Sequence, residues 1–383
     1  MSTVGIDAIR FYTPAFAIRL PDLARARGVD PDKYTIGLGQ EVMSIMPPDE
    51  DIVTMAAHAA LPLITDETKE KIHLLLFATE SGVDNSKAAG LWVHNLLHLH
   101  PSCRVVELKQ ACYSATCALQ LAHSYLHHHP NEKVLLIASD NARYGLHTAG
   151  EPTQGCGAVA MILSASPKLL ALEEHQGVVA DHVMDFWRPT YRTEAVVDGK
   201  YSTKVYLNTL QSCWKSYEQA SGRRFEDHAR FCYHIPFTRM AEKAHERLSK
   251  AASIPFNQEQ IEHELIYSRQ IGNAYTASLY IGLASLLELD ALDLSDKRIG
   301  FFSYGSGCVG EFFSGVVPEG YREHLGLSFH KKILDRRATL TIPEYEEFFT
   351  YTLKEDGSAQ TTPNVSAGPF RLTGVSNHER LYG

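Results

Sequence analysis

Apolar and polar positions alternate along this chain in two recurring rhythms. Short apolar runs with β-branched residues predict strands at Val4 to Phe11, Ile72 to Thr79, Arg104 to Gln110, Lys133 to Ser139 and Gly155 to Leu163. Between them, helical periodicity covers Lys87 to Leu99 and Tyr113 to His129. The rhythm repeats further on: a short strand at Phe231 to Ile235, helices at Thr238 to Ala251 and Tyr275 to Leu287, then strands at Arg298 to Tyr304 and Val309 to Gly315 joined by a glycine turn. The pattern predicts an α/β protein made of two similar halves, residues 1–165 and 166–383. A linking region spans roughly 166–200, and 355–368 reads as loop.

Composition narrows the class. The chain has 383 residues, 44% of them hydrophobic and 21% charged, enough to bury a core in one large or two smaller domains. Its 36 basic and 45 acidic side chains leave a net charge of −9, which lacks the footprint for holding nucleic acid by its phosphates. An anionic small ligand would need a local basic pocket. No apolar stretch approaches the ~20 residues of a membrane helix. Seven cysteines without a Cys-x-x-Cys pair, and a beginning without signal-peptide character, point to reduced cytoplasm.

Several side chains stand where chemistry is done. Cys112 follows a strand and precedes a helix, beside the positive end of the helix dipole and its free N–H groups. That placement predicts a thiol pKa below the free value of about 8.5 and a nucleophile; an inert buried cysteine is the even alternative. Glu80 ends the apolar strand 72–79, where open α/β sheets present their ligand crevice. An apolar surround would raise its pKa toward that of a general base, whereas a solvated turn carboxylate is the commoner outcome. His234 ends the next strand in Tyr233-His234-Ile235-Pro236-Phe237, one of 19 histidines. Arg239 and Lys243 on the following helix are spaced i,i+4 and share a face, either a phosphate grip or a solvated surface. Asn273, next to Gly272, offers a donor to a carbonyl oxygen or simply a helix turn.

Two tempting motifs fail on context. Gly305-Ser306-Gly307-Cys308-Val309-Gly310 matches G-x-G-x-x-G by letter, but a strand pattern follows where a dinucleotide site needs a helix. A tight strand–strand turn there can instead offer backbone N–H groups to a thioester oxygen. His98-x-His100 and His127-His128-His129 lack companion ligands at metal spacing, and the triple sits at a helix end before Pro130. No metal is expected.

Together these residues resemble the hydroxymethylglutaryl-CoA synthase family. The resemblance is carried by Glu107-Leu108-Lys109-Gln110-Ala111-Cys112-Tyr113, Asp185-Phe186-Trp187-Arg188-Pro189, His234-Ile235-Pro236-Phe237-Thr238, Gly272-Asn273-Ala274-Tyr275-Thr276 and Ser303-Tyr304-Gly305-Ser306-Gly307. Tyr34 to Gln40 and Gly150 to Gly155 are similar to its bacterial branch. The resemblance covers nearly the whole chain, in order. It implies a thiolase-like fold of two similar halves in an αβαβα layered arrangement, a cytoplasmic homodimer, and condensation of acetyl-CoA with acetoacetyl-CoA in the mevalonate pathway.

The same resemblance implies roles. Cys112 becomes acetylated, Glu80 deprotonates the acetyl methyl group, and His234 holds and polarises the acetoacetyl keto oxygen. Asn273, Ser306 and Gly307 match positions lining the acetoacetyl site; Thr153, Ser202, Arg239 and Lys243 match positions near the substrate chain or CoA. Arg239 stands where many relatives have lysine. Asp30 and Tyr144 border the tunnel. CoA thioesters are substrates, so no separate cofactor is implied. The nearest rival is the polyketide β-branching relative, which uses the same Glu80, Cys112 and His234 on carrier-protein-bound acyl groups. A fatty-acid-type ketosynthase would not need Glu80, because malonyl decarboxylation supplies its carbanion. A non-catalytic acyl-CoA binder would have no use for the nucleophile.

Overall fold

The computed structural model describes residues 3–383. Ten strands form one sheet whose main path runs Arg230–Tyr233, Arg298–Gly305, Val309–Val316, Leu170–Leu172, Gly5–Tyr12, Gly155–Ser164, Lys133–Ala142, Ile72–Ala78, Arg104–Leu108, with Gly177–Ala180 added alongside Val309–Val316. Five of these strands precede residue 165 and five follow it. The two sets meet only where Gly5 and Ile6 pair with Ala171 and Leu170.

Side-chain alternation along the strands builds the layers. Leu74, Leu76, Val134, Leu136, Val159 and Met161 point to one side, with Ile299, Phe301 and Phe313 from the second set. They enclose the helices Ser114–His128 and Ser278–Leu289 in a single central core. The alternate residues Leu75, Phe77, Leu135, Ile137 and Ala160 face outward onto the helices Ile52–Ala60 and Ala89–Leu96. Phe231, Tyr233, Phe302, Tyr304 and Phe312 likewise face the helices Gly199–Ser221 and Thr238–Ala251. The order is helix, sheet, helix, sheet, helix, the αβαβα arrangement expected of a thiolase-like fold.

Most predicted elements occur within a few residues of their expected ends, and Thr238–Ala251 has the bounds predicted. Several regions differ, and the helices Leu20–Ala26, Leu265–Ile271, Leu327–Asp335 and Ile342–Thr350 lie where no element was expected. The supposed linker at 166–200 contains the sheet strands Leu170–Leu172 and Gly177–Ala180. It leads into the long helix Gly199–Ser221, capped by Asp198 accepting from Tyr201 N–H and ended by Gly222 at φ 68°. The Ile52–Ala60 helix is buried at every position, so it has no polar face for periodicity to reveal. Tyr275 to Leu287 divides into a 3-10 turn, Tyr275–Ala277, and the helix Ser278–Leu289.

The end of the chain crosses back to the first half. Ala338–Thr339 pairs with Phe16–Arg19, and Leu340 and Tyr345 pack with Ile18, Leu20 and Met43. Within 355–368, Gln360–Thr361 pairs with Leu372–Ser376, which forms a hairpin with Glu379–Tyr382. Among the described residues no helix is long and apolar enough to cross a membrane.

Candidate active site

The parallel strand Arg104–Leu108 delivers the chain into a tight turn at Gln110 to Tyr113. Ala111 takes φ 44°, a left-handed conformation costly for alanine. Ser114 braces this turn, accepting from the Gln110 N–H at 2.5 Å and donating to the Ala111 carbonyl at 2.8 Å. Support also comes from the second half. The Gln110 side-chain amide donates to the Ser306 carbonyl at 3.2 Å. Gly305 lies so close that a Cβ there would stand 2.4 Å from the Gln110 carbonyl oxygen. The glycine turn after Arg298–Gly305 is thus seated on the Cys112 turn, and the strand Val309–Val316 follows it, as the rejection of a dinucleotide site required.

Cys112 and Glu80 meet. The thiol donates to Glu80 Oε1 at 3.1 Å. Burial pushes the Glu80 carboxyl up, and the negative charge of Asp140 adds to the shift. The expected rise in Glu80 is therefore present. The expected fall in Cys112 is not: burial holds the thiol well above its ordinary value, and the carboxylates of Glu80, Asp140 and Asp185 push the same way. The helix dipole invoked from sequence acts on a site surrounded by carboxylates, where desolvation and like charge outweigh it. The sulfur stays protonated at rest, and Glu80 is the base positioned to take its proton.

Asp140, which sequence reasoning missed, holds this pair in place. Fully buried, its Oδ1 accepts from Thr79 Oγ1 at 2.8 Å, Glu80 N–H at 2.9 Å and Ser81 Oγ at 2.8 Å. Its Oδ2 accepts from Thr276 N–H at 3.2 Å. Arg188, from the Asp185-Phe186-Trp187-Arg188-Pro189 motif, donates to the Glu80 carbonyl. Asp185 is a second organiser: it accepts from Tyr304 OH at 2.7 Å, Ser202 Oγ at 3.2 Å and Gly307 N–H at 2.9 Å. Ser202 and Gly307, singled out separately in the sequence, therefore converge on one carboxylate.

Tyr144 and Asn273 also converge. The Asn273 amide donates to Tyr144 OH at 3.3 Å, and its carbonyl oxygen accepts from Tyr275 N–H at 2.8 Å. Burial raises the Tyr144 phenol, with Cys112 and Glu80 adding to the rise. His234 is buried, its backbone fixed by Tyr206 OH donating to its carbonyl at 2.9 Å, while Nδ1 has no hydrogen-bond partner. Burial lowers its imidazole to about 3, so it is neutral at physiological pH.

The remaining sequence candidates make no hydrogen bond to these groups. Thr153 donates to the Gly150 carbonyl at 2.8 Å, in the short turn before the strand Gly155–Ser164. Asp30 and Lys243 are exposed, and Arg239 pairs with Glu242 at the surface. A cavity of about 1190 Å³ is bordered by Glu80, Ala111, Arg188, Ser306 and Gly307, though not by Cys112 or His234. Among the described residues, no three His, Cys, Asp or Glu side chains are grouped to hold a metal ion.

Family models match both parts of the chain. The model described as hydroxymethylglutaryl-coenzyme A synthase N terminal matches residues 1–168, and its C-terminal counterpart matches 170–251 and 239–369. The chain belongs to the hydroxymethylglutaryl-CoA synthase family. Among its relatives in that family, hydroxymethylglutaryl-CoA synthase of Enterococcus faecalis is 45% identical over 99% of both chains. The polyketide biosynthesis 3-hydroxy-3-methylglutaryl-ACP synthase PksG of Bacillus subtilis (strain 168) is 32% identical, over 91% of this chain and 88% of its own. A crystal structure of HMG-CoA synthase complexed with CoA superposes with a TM-score of 0.96 at 40% identity, covering 100% of this chain and 99% of that one. The family and the fold expected from the motifs are those found.

Proposed function

We propose that this hydroxymethylglutaryl-CoA synthase is an acyltransferase that joins acetyl-CoA to acetoacetyl-CoA, consuming water and releasing HMG-CoA and free CoA. The observation that carries the reading is the 3.1 Å contact between a half-buried thiol and a half-buried carboxyl of raised pKa. Cys112 attacks the acetyl thioester, its proton passing to Glu80, and Glu80 returns that proton to the departing sulfur so that CoA leaves as the thiol. Glu80 then removes a methyl proton from acetyl-Cys112. The enolate attacks the 3-keto carbon of acetoacetyl-CoA, and the resulting alkoxide takes a proton back from Glu80. Water finally cleaves the bond to Cys112. His234, being neutral, serves as a hydrogen-bond donor to the keto oxygen rather than as a cation. The Gly307 N–H is already given to Asp185, which leaves the Ser306 N–H of that turn for a developing oxyanion, a role worth roughly 3–4 kcal/mol.

In this proposal Asn273, Ser306 and Gly307 line the acetoacetyl site with Tyr144. Thr153 and Ser202 lie along the acyl chain; Asp30, Arg239 and Lys243 serve the CoA end. The enzyme works without a separate cofactor or metal, as a cytoplasmic homodimer in the mevalonate pathway, from two halves divided near residue 165. Support for CoA over a carrier protein comes from the 45% identity to the E. faecalis synthase against 32% to the polyketide enzyme. Steady-state assay of CoA release tests the choice: turnover with acetyl-CoA and free acetoacetyl-CoA is expected, and turnover only with carrier-bound acceptors would favour the polyketide type.

A further inference from the structure

The helix that follows the nucleophile has no cap of its own. Tyr113 occupies the N-cap position of Ser114–His128 and its side chain makes no cap hydrogen bond. Four N–H groups at a helix start have no partner within the helix and need one elsewhere when buried. Thr276 supplies one from a distant segment. It is 1% exposed and sits on the Tyr275–Ala277 turn, whose first residue takes φ 44°. Its Oγ1 accepts the Ala115 N–H at 2.8 Å and donates to the Cys112 carbonyl at 2.9 Å. Its own N–H donates to Asp140 Oδ2 at 3.2 Å, and Asp140 Oδ1 holds the Glu80 N–H at 2.9 Å.

An unbroken chain of hydrogen bonds thus runs from the Glu80 backbone through Asp140 and Thr276 to the Cys112 backbone. It connects the chain segments of base and nucleophile by a route separate from the contact between their side chains. We propose that Thr276 is a positioning residue that caps the nucleophile helix and, with Asp140, sets the spacing of Cys112 and Glu80. The inference deepens the functional reading of this site and rests on it only for the names of the two reacting groups. Thr276 makes no hydrogen bond to Cys112 Sγ or to Glu80 Oε1. Its influence passes through the backbone, so a change there alters how fast and at what pH the thiol reacts.

The test uses Thr276→Val and Thr276→Ser in the full chain. Valine keeps the volume and removes both hydroxyl bonds; serine keeps the hydroxyl and drops a methyl group. The readout is alkylation of the Cys112 peptide by iodoacetamide, followed by mass spectrometry from pH 6 to 10, with thermal unfolding as the control for folding. This readout is independent of the acyl donor, so it fails separately from the proposed reaction. The valine variant is expected to move the pH midpoint and slow Cys112 alkylation by roughly tenfold to a hundredfold. The serine variant is expected to stay within about twofold of wild type, since it retains the bonds that carry the effect. A valine variant with the wild-type pH profile would overturn the proposal, and so would a folded serine variant with a displaced one. Should the valine variant not fold, the serine profile alone decides.

Discussion

Asp140 holds the backbone N–H of Glu80 at 2.9 Å while its charge raises the pKa of the Glu80 side chain. One buried carboxylate therefore both places the base and tunes it. Asp140→Asn keeps the shape, but its amide would turn a donor toward the Thr276 N–H if the carbonyl oxygen stays with Thr79, Glu80 and Ser81. Removing the charge lowers the Glu80 pKa, because a like charge had been opposing its ionisation. The expected outcome is an acid-ward shift in the pH profile of Cys112 acetylation, together with a rate loss of about tenfold or more. Single-turnover acetylation between pH 5 and 9 measures both.

Gly305 tests how closely the second half is pressed onto the nucleophile turn. A Cβ there would lie 2.4 Å from Gln110 O and 2.7 Å from Tyr113 N, both backbone atoms of the Cys112 turn. Gly305→Ala is expected to cost about 1–3 kcal/mol of stability and to slow acetylation, since backbone must move to admit the methyl group. Gly199→Ala is the control: nothing lies within 4 Å of its Cβ position. Paired thermal melts and acetylation rates should separate the two.

Eight strands of the ten-stranded sheet and the helices Ala89–Leu96, Ser114–His128, Thr238–Ala251 and Ser278–Leu289 were legible because alternation and apolar runs are local signals. Asp140 was not. The expected strand stopped at Ser139, one residue before Asp140 and three before the strand's end at Ala142, and the donors that explain Asp140 come from residues 79–81 and 276, far apart in sequence. The same distance hid the carboxylates around Cys112: a helix start is visible in sequence, whereas three converging acids are not. The Gly199–Ser221 helix did carry signals, a capping Asp198, a closing Gly222 and buried Tyr206, Leu210, Cys213, Trp214 and Tyr217 on one face. Ile52–Ala60 had none, because its surroundings bury every side.

Glu50 gives a pH dependence of stability separate from catalysis. It is buried; Oε1 accepts from Tyr12 OH at 3.1 Å and Ser366 Oγ at 2.9 Å, while Oε2 has no partner. Burial, aided by Asp49, raises its pKa from 4.5 to about 7. The native state thus keeps a proton that the unfolded chain releases from 4.5 upward, and its contribution to stability falls as pH rises to 7. Glu50→Gln mimics the protonated form. Its advantage over wild type should be absent below pH 4.5, grow to pH 7 and level off at about 3 kcal/mol. Denaturant midpoints of both proteins at several pH values check this, and a difference independent of pH would contradict it.

The central claim is that Cys112 carries the acetyl group. Intact-protein mass after incubation with acetyl-CoA alone, for wild type and Cys112→Ala, tests it most directly. The account predicts one added acetyl group on the wild type, none on the variant, and discharge as HMG-CoA when acetoacetyl-CoA is added. Folded wild-type protein that gains no acetyl group, or a Cys112→Ala variant that gains one as readily, would contradict it.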